Sequence, residues 1–242
     1  MHSHHVLPPY SGFGNLTAMR AAHRYNRALI KLARDHLGQP APATLLDSGA
    51  GLGDFAKAFA APDCTVHAVE PDAHCRAHIA AQGGDSRRDC VVPHADIAEI
   101  PAASVDGLYS FNVLEHIEND VNALKTWVAR LRPGGRVFLY VPAFSFLFGP
   151  MDRKVGHYRR YTRRSLSRLL LDAGLFVDAT GYFDATGVPA TLAANLSGGS
   201  GEISEASVKL YDAWVFPLNR LLQPWCGAFI GKNVWAAGHV PG

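Results

Sequence analysis

The chain predicts one doubly wound α/β domain, and three observations carry that prediction. Short apolar runs alternate with helical periods from residue 44 onward, a glycine-rich turn follows the first run, and 242 residues suffice for one large core. Apolar residues make up 48% of the chain and charged ones 18%, a globular balance that excludes long disorder. A formal net charge of +2 is too small for a protein built to bind nucleic acid through charge alone.

From Asn15 to His36, apolar residues including Leu16, Met19, Leu29, Ile30, Ala33 and Leu37 recur at helical steps, and Gly38 and Pro40 close the run. This predicts one amphipathic helix; His2, His4 and His5 before it read as a mobile tail. Alternating units follow: a strand at Thr44–Asp47, a helix from Asp54, the strand CTVHAVE, a helix from Asp72 and a short strand around Cys90–Pro93. VDGLYSF, a helix over Glu118–Leu131, the turn RPGG and RVFLYVPAF extend the pattern, the last with the continuous apolarity of a strand buried on both faces. Thr162 reads as the N-cap of a helix over Arg163–Ala173 that Gly174 stops, and LFVDATGYF and FIGKNVWAAGHV are the last strands. Between those strands, LSGGSGE reads as a flexible loop within one domain. The expected division is 1–40 tail and helix, 41–182 cofactor-binding core, 183–228 substrate insertion or lid, and 229–242 last strand.

Cys64, Cys75, Cys90 and Cys226 have no metal-ligand spacing and no secretory signal opens the chain, so reduced thiols in a cytoplasm and no metal are expected. Asn219, Arg220 and Gln223 interrupt the most apolar stretch below the ~18 residues of a membrane span, so no stable membrane insertion is expected.

The stretch TLLDSGAGLGDFA, residues 44 to 56, spaces its glycines G-x-G-x-G. Dinucleotide sites use G-x-G-x-x-G, and Asp54 stands where their third glycine would be, next to where a pyrophosphate would lie. No Gly-Lys-Ser/Thr follows, so a ligand without phosphates fits better. Glu70, ending the second strand, can accept from both hydroxyls of a ribose, and Asp96 in HADI lies where a purine amino group could be met. Three sites at successive strand ends outline a nucleoside-binding edge.

Through LLDSGAGLG, AVEPD, HADI, DGLYSFNVLEHIEND and LRPGGRVFLYVP the sequence resembles the class I S-adenosylmethionine-dependent methyltransferases. RYN at 24 to 26, NVLEHIEND and DRKVGHYRRYTRRSL resemble a bacterial subgroup of them. The resemblance implies a Rossmann-like sheet of seven strands in the order 3-2-1-4-5-7-6 with helices on both faces. It implies S-adenosyl-L-methionine as cofactor and S-adenosyl-L-homocysteine as product. The methionine moiety would lie against Gly49, Ala50, Gly51 and Gly53, with Asp47 and Tyr25 beside it. The ribose would rest on Glu70 next to Pro71, the adenine near Asp96 and Ile97, and Asn112, Val113 and His116 would flank the sulfonium. Asp47-Ser48 departs from the glutamate and small apolar residue of many relatives, keeping the acid with a shorter reach.

Methyl transfer needs a nucleophile lined up behind the methyl group, and positioning can supply about 7–11 kcal/mol of barrier lowering. A weakly acidic hydroxyl needs a base as well, for which His116 and His157 are the candidates, with Tyr161 as a third catalytic candidate. The basic run from Arg153 to Arg168 suits an acceptor carrying a carboxylate or phosphate; the alternative is a solvated face paired to Asp152 and Glu115. The expected function is methylation of oxygen or nitrogen on a small molecule in bacterial secondary-metabolite, lipid or glycoconjugate biosynthesis, by a monomer or homodimer. No Asn/Asp-Pro-Pro-Tyr/Phe signature points to a nucleic-acid substrate. Two rival readings keep the cofactor without methylation: a cyclase-type enzyme, and a regulatory or assembly partner.

Overall fold

A computed structural model describes residues 13–38, 41–81, 90–196 and 204–242. The histidine tail and nearly all of LSGGSGE lie outside the described residues. Seven strands form one sheet: β1 Thr44–Ser48, β2 Thr65–Val69, β3 Val91–His94, β4 Val105–Phe111, β5 Leu131–Pro142, β6 Phe176–Phe183 and β7 Asn233–His239. Their order is β3-β2-β1-β4-β5-β7-β6, as expected, and β7 alone is antiparallel to its neighbours. Because β7 runs backwards, its first residue, Asn233, lies at the carboxyl edge where the other strands end.

Alternate residues of the central strands feed two cores, as a pleat buried on both sides requires. Leu45, Phe138 and Tyr140 point to the layer holding Leu29 and Ala33 of α2 (His23–Leu37) and Phe59 of α3 (Asp54–Phe59). Leu46, Val137 and Leu139 point to the opposite layer. There they meet Leu124 of α5 (Asp120–Val128) and Leu166 and Leu170 of α7 (Arg163–Asp172). Thr162 caps α7 as expected, its hydroxyl accepting from the Ser165 N–H at 3.1 Å.

The expected first helix is two, α1 over Phe13–Met19 and α2, separated at Arg20–Ala22. A tertiary contact decides the break: Asp212 accepts from the Arg24 and Tyr25 N–H groups at 2.9 and 2.8 Å, capping α2 from 188 residues away. The fifth helix stops at Val128, earlier than expected, because β5 already pairs at Leu131 with Val105 and carries RPGG as an irregularity within the strand. The last strand begins at Asn233, later than expected.

The described residues between 184 and 232 are largely helical: α8 over Gly187–Leu196, α9 over Glu205–Leu210, a π-helical turn at Tyr211–Val215, and α10 over Phe216–Cys226. Polar residues that interrupt the apolar stretch dock α10 on the sheet edge. Asn219 accepts from the Ala185 N–H at 2.9 Å and Gln223 donates to the Tyr182 carbonyl at 2.6 Å. Of the aromatics in and beside this cover, Phe183 is buried, whereas Trp214 and Trp225 are exposed. Among the described residues no helix is long and apolar enough to cross a membrane. The four cysteines are free thiols.

Candidate active site

The glycine turn is pinned to β2, where the Gly49 and Ala50 N–H groups both donate to the Val69 carbonyl at 2.9 and 3.0 Å. Gly49, Gly51 and Gly53 all have left-handed backbones, with φ of 80°, 55° and 78°. Protein neighbours, rather than a ligand, demand two of them. A Cβ at Gly49 would come within 2.3 Å of Val113 Cγ2, and one at Gly53 within 2.9 Å of Ile79 Cγ1. Only Gly51 is open, its nearest neighbour being Leu16 of α1 at 3.6 Å.

Asp47, next to last in β1, is enclosed, and burial pushes its carboxyl up to about 8, with the Tyr109 hydroxyl pulling it down and Glu70 adding to the rise. Its Oδ2 has no hydrogen-bond partner. Glu70 accepts from the Gly51 N–H at 2.7 Å through Oε2 and from the Asp72 N–H at 2.9 Å through Oε1. Burial raises its pKa, opposed by these two bonds. Each oxygen keeps a further lone pair, so the carboxylate can brace the glycine turn and still accept from sugar hydroxyls. Pro71 is exposed beside it. Asp96 caps the short helix Ile97–Glu99 through Oδ1, which accepts from the Ala98 N–H at 2.8 Å, and is exposed; Ile97 packs against the core.

Asn112 follows β4 with φ of 53°, a conformation asparagine tolerates better than most residues and one that clusters at functional sites. Its Oδ1 accepts from Asn233 Nδ2 at 3.1 Å, and Asn233 continues to the paired Tyr25 and Tyr140 hydroxyls. Tyr25 is buried, edge-on to Phe183, with its hydroxyl bonded to Tyr140 and, at 3.5 Å, to Asn233. Next to this chain stands Asp184, which follows β6 with φ of 67° and is wholly buried. Its Oδ1 accepts from the Tyr211 hydroxyl and from the Gly187 N–H at 3.0 Å; Lys232 Nζ lies 3.8 Å from Oδ2. Sequence reading missed Tyr140, Asp184, Tyr211 and Asn233. The only signal was GKN at the last strand, since an acid before Ala-Thr-Gly reads as an ordinary turn.

His116 and His157 do meet, their rings edge-to-face at 4.5 Å between centroids. Burial pushes His116 down to about 4, with the neighbouring His157 contributing, so it is neutral at physiological pH and a weak base. His157 is 7% exposed; its Nδ1 is bonded to Asp152 Oδ1 at 2.7 Å and its Nε2 is 3.9 Å from Glu115 Oε1. Asp152 also accepts from Arg160 Nε at 2.8 Å, Arg160 Nη2 at 2.9 Å and the Gly149 N–H at 2.8 Å. Tyr161 is buried, and its hydroxyl donates to Asp120 Oδ2 at 2.8 Å. The basic run divides likewise. Arg159 pairs with Asp120, Arg160 with Asp152 and Arg168 with Asp172; Arg153, Lys154, Arg164 and Arg168 are exposed.

This strand order, with a glycine turn after β1, an acid after β2 and a capping acid after β3, defines a Rossmann-like methyltransferase whose cofactor is S-adenosylmethionine. The residues fit that group: the buried Asp47 Oδ2 lacks the donor that the cofactor's ammonium would supply, and the turn is open over Gly51. A family model described as "Methyltransferase domain" matches residues 19–180, and the chain belongs to that family. It is 30% identical over 200 residues to an "uncharacterized methyltransferase" of Mycolicibacterium gilvum, covering 79% of this chain and 74% of that one. A second, from Mycolicibacterium vanbaalenii, is 31% identical with the same coverage. The fold also resembles phosphoethanolamine N-methyltransferase 2 of Haemonchus contortus in complex with S-adenosyl-L-methionine. That match has a TM-score of 0.60 at 17% identity and covers 90% of this chain and 53% of that one.

Glu70→Ala is expected to weaken S-adenosylhomocysteine binding by ~1.5–3 kcal/mol, the range for hydrogen bonds to a charged group. It should also lower stability, because the Gly51 and Asp72 N–H groups lose their acceptor. Calorimetry showing unchanged affinity in a folded variant would remove Glu70 from the ribose.

Proposed function

We propose that the chain transfers the methyl group of S-adenosylmethionine to an oxygen or nitrogen atom of a small molecule in secondary-metabolite, lipid or glycoconjugate biosynthesis. The observation that carries this reading is the polar chain from Asn112 through Asn233 to Tyr25 and Tyr140. It starts at the residue after β4, next to Val113, which packs on the glycine turn. That arrangement supports a cofactor cradle on one side of Asn112 and an acceptor site with hydrogen-bonding walls on the other. S-adenosylmethionine supplies an electrophilic methyl group; the chain's residues orient the acceptor and keep water out. The test is incubation with methyl-labelled S-adenosylmethionine and a bacterial small-molecule extract. Label in a small-molecule fraction is expected; label confined to protein or nucleic acid, or cofactor binding without transfer, would overturn the reading.

Asp47 makes cofactor affinity depend on pH. Its folded pKa is raised, so it ionises only as pH approaches 8, and a bound ammonium favours the ionised form. Affinity for S-adenosylhomocysteine should therefore rise from pH 6 to pH 8, by up to about tenfold per unit. Asp47→Asn should flatten the profile. Equal dissociation constants at both pH values in the unsubstituted chain would separate Asp47 from the ammonium.

A further inference from the structure

Glu115 is a buried carboxylate with no hydrogen-bond partner on either oxygen. The Arg160 guanidinium, the nearest fixed positive charge, is bonded through two nitrogens to Asp152, so Glu115 stands without a counter-charge of its own. What faces it instead is a pair of imidazoles. One ligand atom each of Glu115, His116 and His157 lie within 4.8 Å of one another.

We propose that Glu115, His116 and His157 bind one divalent transition cation, Zn²⁺ or an ion of similar preference, through one carboxylate oxygen and one nitrogen of each imidazole. Two imidazoles and one carboxylate are a donor set for that class of ion rather than for Mg²⁺ or Ca²⁺, which take oxygen.

The surroundings are those a metal site requires. His157 directs Nδ1 to the Asp152 carboxylate at 2.7 Å, leaving Nε2 on the side of Glu115. A ring nitrogen of His116 is bonded to the Val155 backbone, and burial keeps that ring neutral. Metal-ligating histidines are oriented in this manner, the second nitrogen held by a carboxylate or a backbone carbonyl. Ligand atoms on one tetrahedral ion are about 3.4 Å apart given metal–ligand bonds of about 2.0–2.2 Å. His157 Nε2 and Glu115 Oε1, now 3.9 Å apart, would close by a side-chain rotation. The ligands come from the turn after β4 and the loop before Tyr158, so a cation would tie together two segments at the carboxyl edge.

The test uses the full chain with His2, His4 and His5 replaced by alanine, so that the tail contributes no imidazoles. After dialysis against chelator it is titrated with Co²⁺, followed by visible absorption and calorimetry. One equivalent is expected, with d–d bands of a nitrogen–oxygen site and displacement by Zn²⁺. Glu115→Gln replaces a buried carboxyl that has no hydrogen-bond partner with an amide of the same shape and so should fold with a nearly unchanged melting temperature. It and His157→Gln should each weaken Co²⁺ binding by at least about tenfold, the scale of losses when metal sites are disturbed. Absence of stoichiometric binding, or equal affinity in a folded Glu115→Gln chain, would overturn the site. S-adenosylhomocysteine affinity, measured on the same samples, reports separately on the methyltransferase reading.

Discussion

Asp152→Ala is expected to lose ~3–5 kcal/mol of stability, the cost of stranding a buried partner charge. At ~2–4 °C per kcal/mol for a chain of this length, its melting temperature should fall by ~6–20 °C. The carboxylate accepts from His157, from two nitrogens of Arg160 and from the Gly149 N–H, and the Arg160 side chain is 2% exposed. Removing the acid leaves Nε and Nη2 of Arg160 and the Gly149 N–H enclosed without the oxygens that received their protons, with only Nη1 still donating, to the Ala143 carbonyl at 3.2 Å. The same bonds set an acid limit. Burial alone would raise the Asp152 pKa, but the His157, Arg160 and Gly149 donors bring it down to about 2. A folded pKa below the unfolded one contributes stability at neutral pH that is lost as pH falls from about 4 toward 2. Thermal melts over that range should show a falling limb in the unsubstituted chain and a weaker one in the variant. Parallel curves would mean that Asp152 does not anchor this network.

The contrast between Asp152 and the glycine turn shows what a sequence can disclose. The strands were legible because apolar alternation is local, and the turn was legible because three glycines in five residues have few uses. The reason for those glycines was not: Val113 and Ile79, which fill the space beside Gly49 and Gly53, are 64 and 26 residues distant in the chain. Nor could periodicity find the break between α1 and α2, which rests on a cap from Asp212. The basic run from Arg153 to Arg168 read either as a surface for anions or as a face paired to Asp152 and Glu115. Of those two acids Arg160 pairs with Asp152, while Arg159 pairs with Asp120, because a guanidinium beside a buried carboxylate costs less enclosed than either group does alone. Glu115 is the reverse case, expected to pair with an arginine and found without one. Tyr25 belonged to a motif read as a cofactor contact, and its phenol proved to be interior; it reaches the site only through Asn233. Motif position located the edge of the sheet correctly, while the direction each side chain takes depended on partners the motif does not contain.

Gly49→Ala is expected to destabilise the fold by ~2–5 kcal/mol, combining about 1–2 kcal/mol for a left-handed residue with a Cβ and about 1–3 kcal/mol for overpacking. The added methyl would stand 2.3 Å from Val113 Cγ2, far inside contact distance, so either the turn or the segment after β4 must move. Both carry proposed cofactor contacts, so S-adenosylhomocysteine affinity should fall along with stability. A double-mutant cycle separates the two causes. Val113→Ala removes both Cγ atoms and hence the collision, but leaves the φ of 80° unchanged. Gly49→Ala combined with Val113→Ala should therefore recover the overpacking share and keep the backbone share. Recovery of all the lost stability would show that the left-handed turn is not strained by alanine; recovery of none would show that Val113 is not what the glycine accommodates.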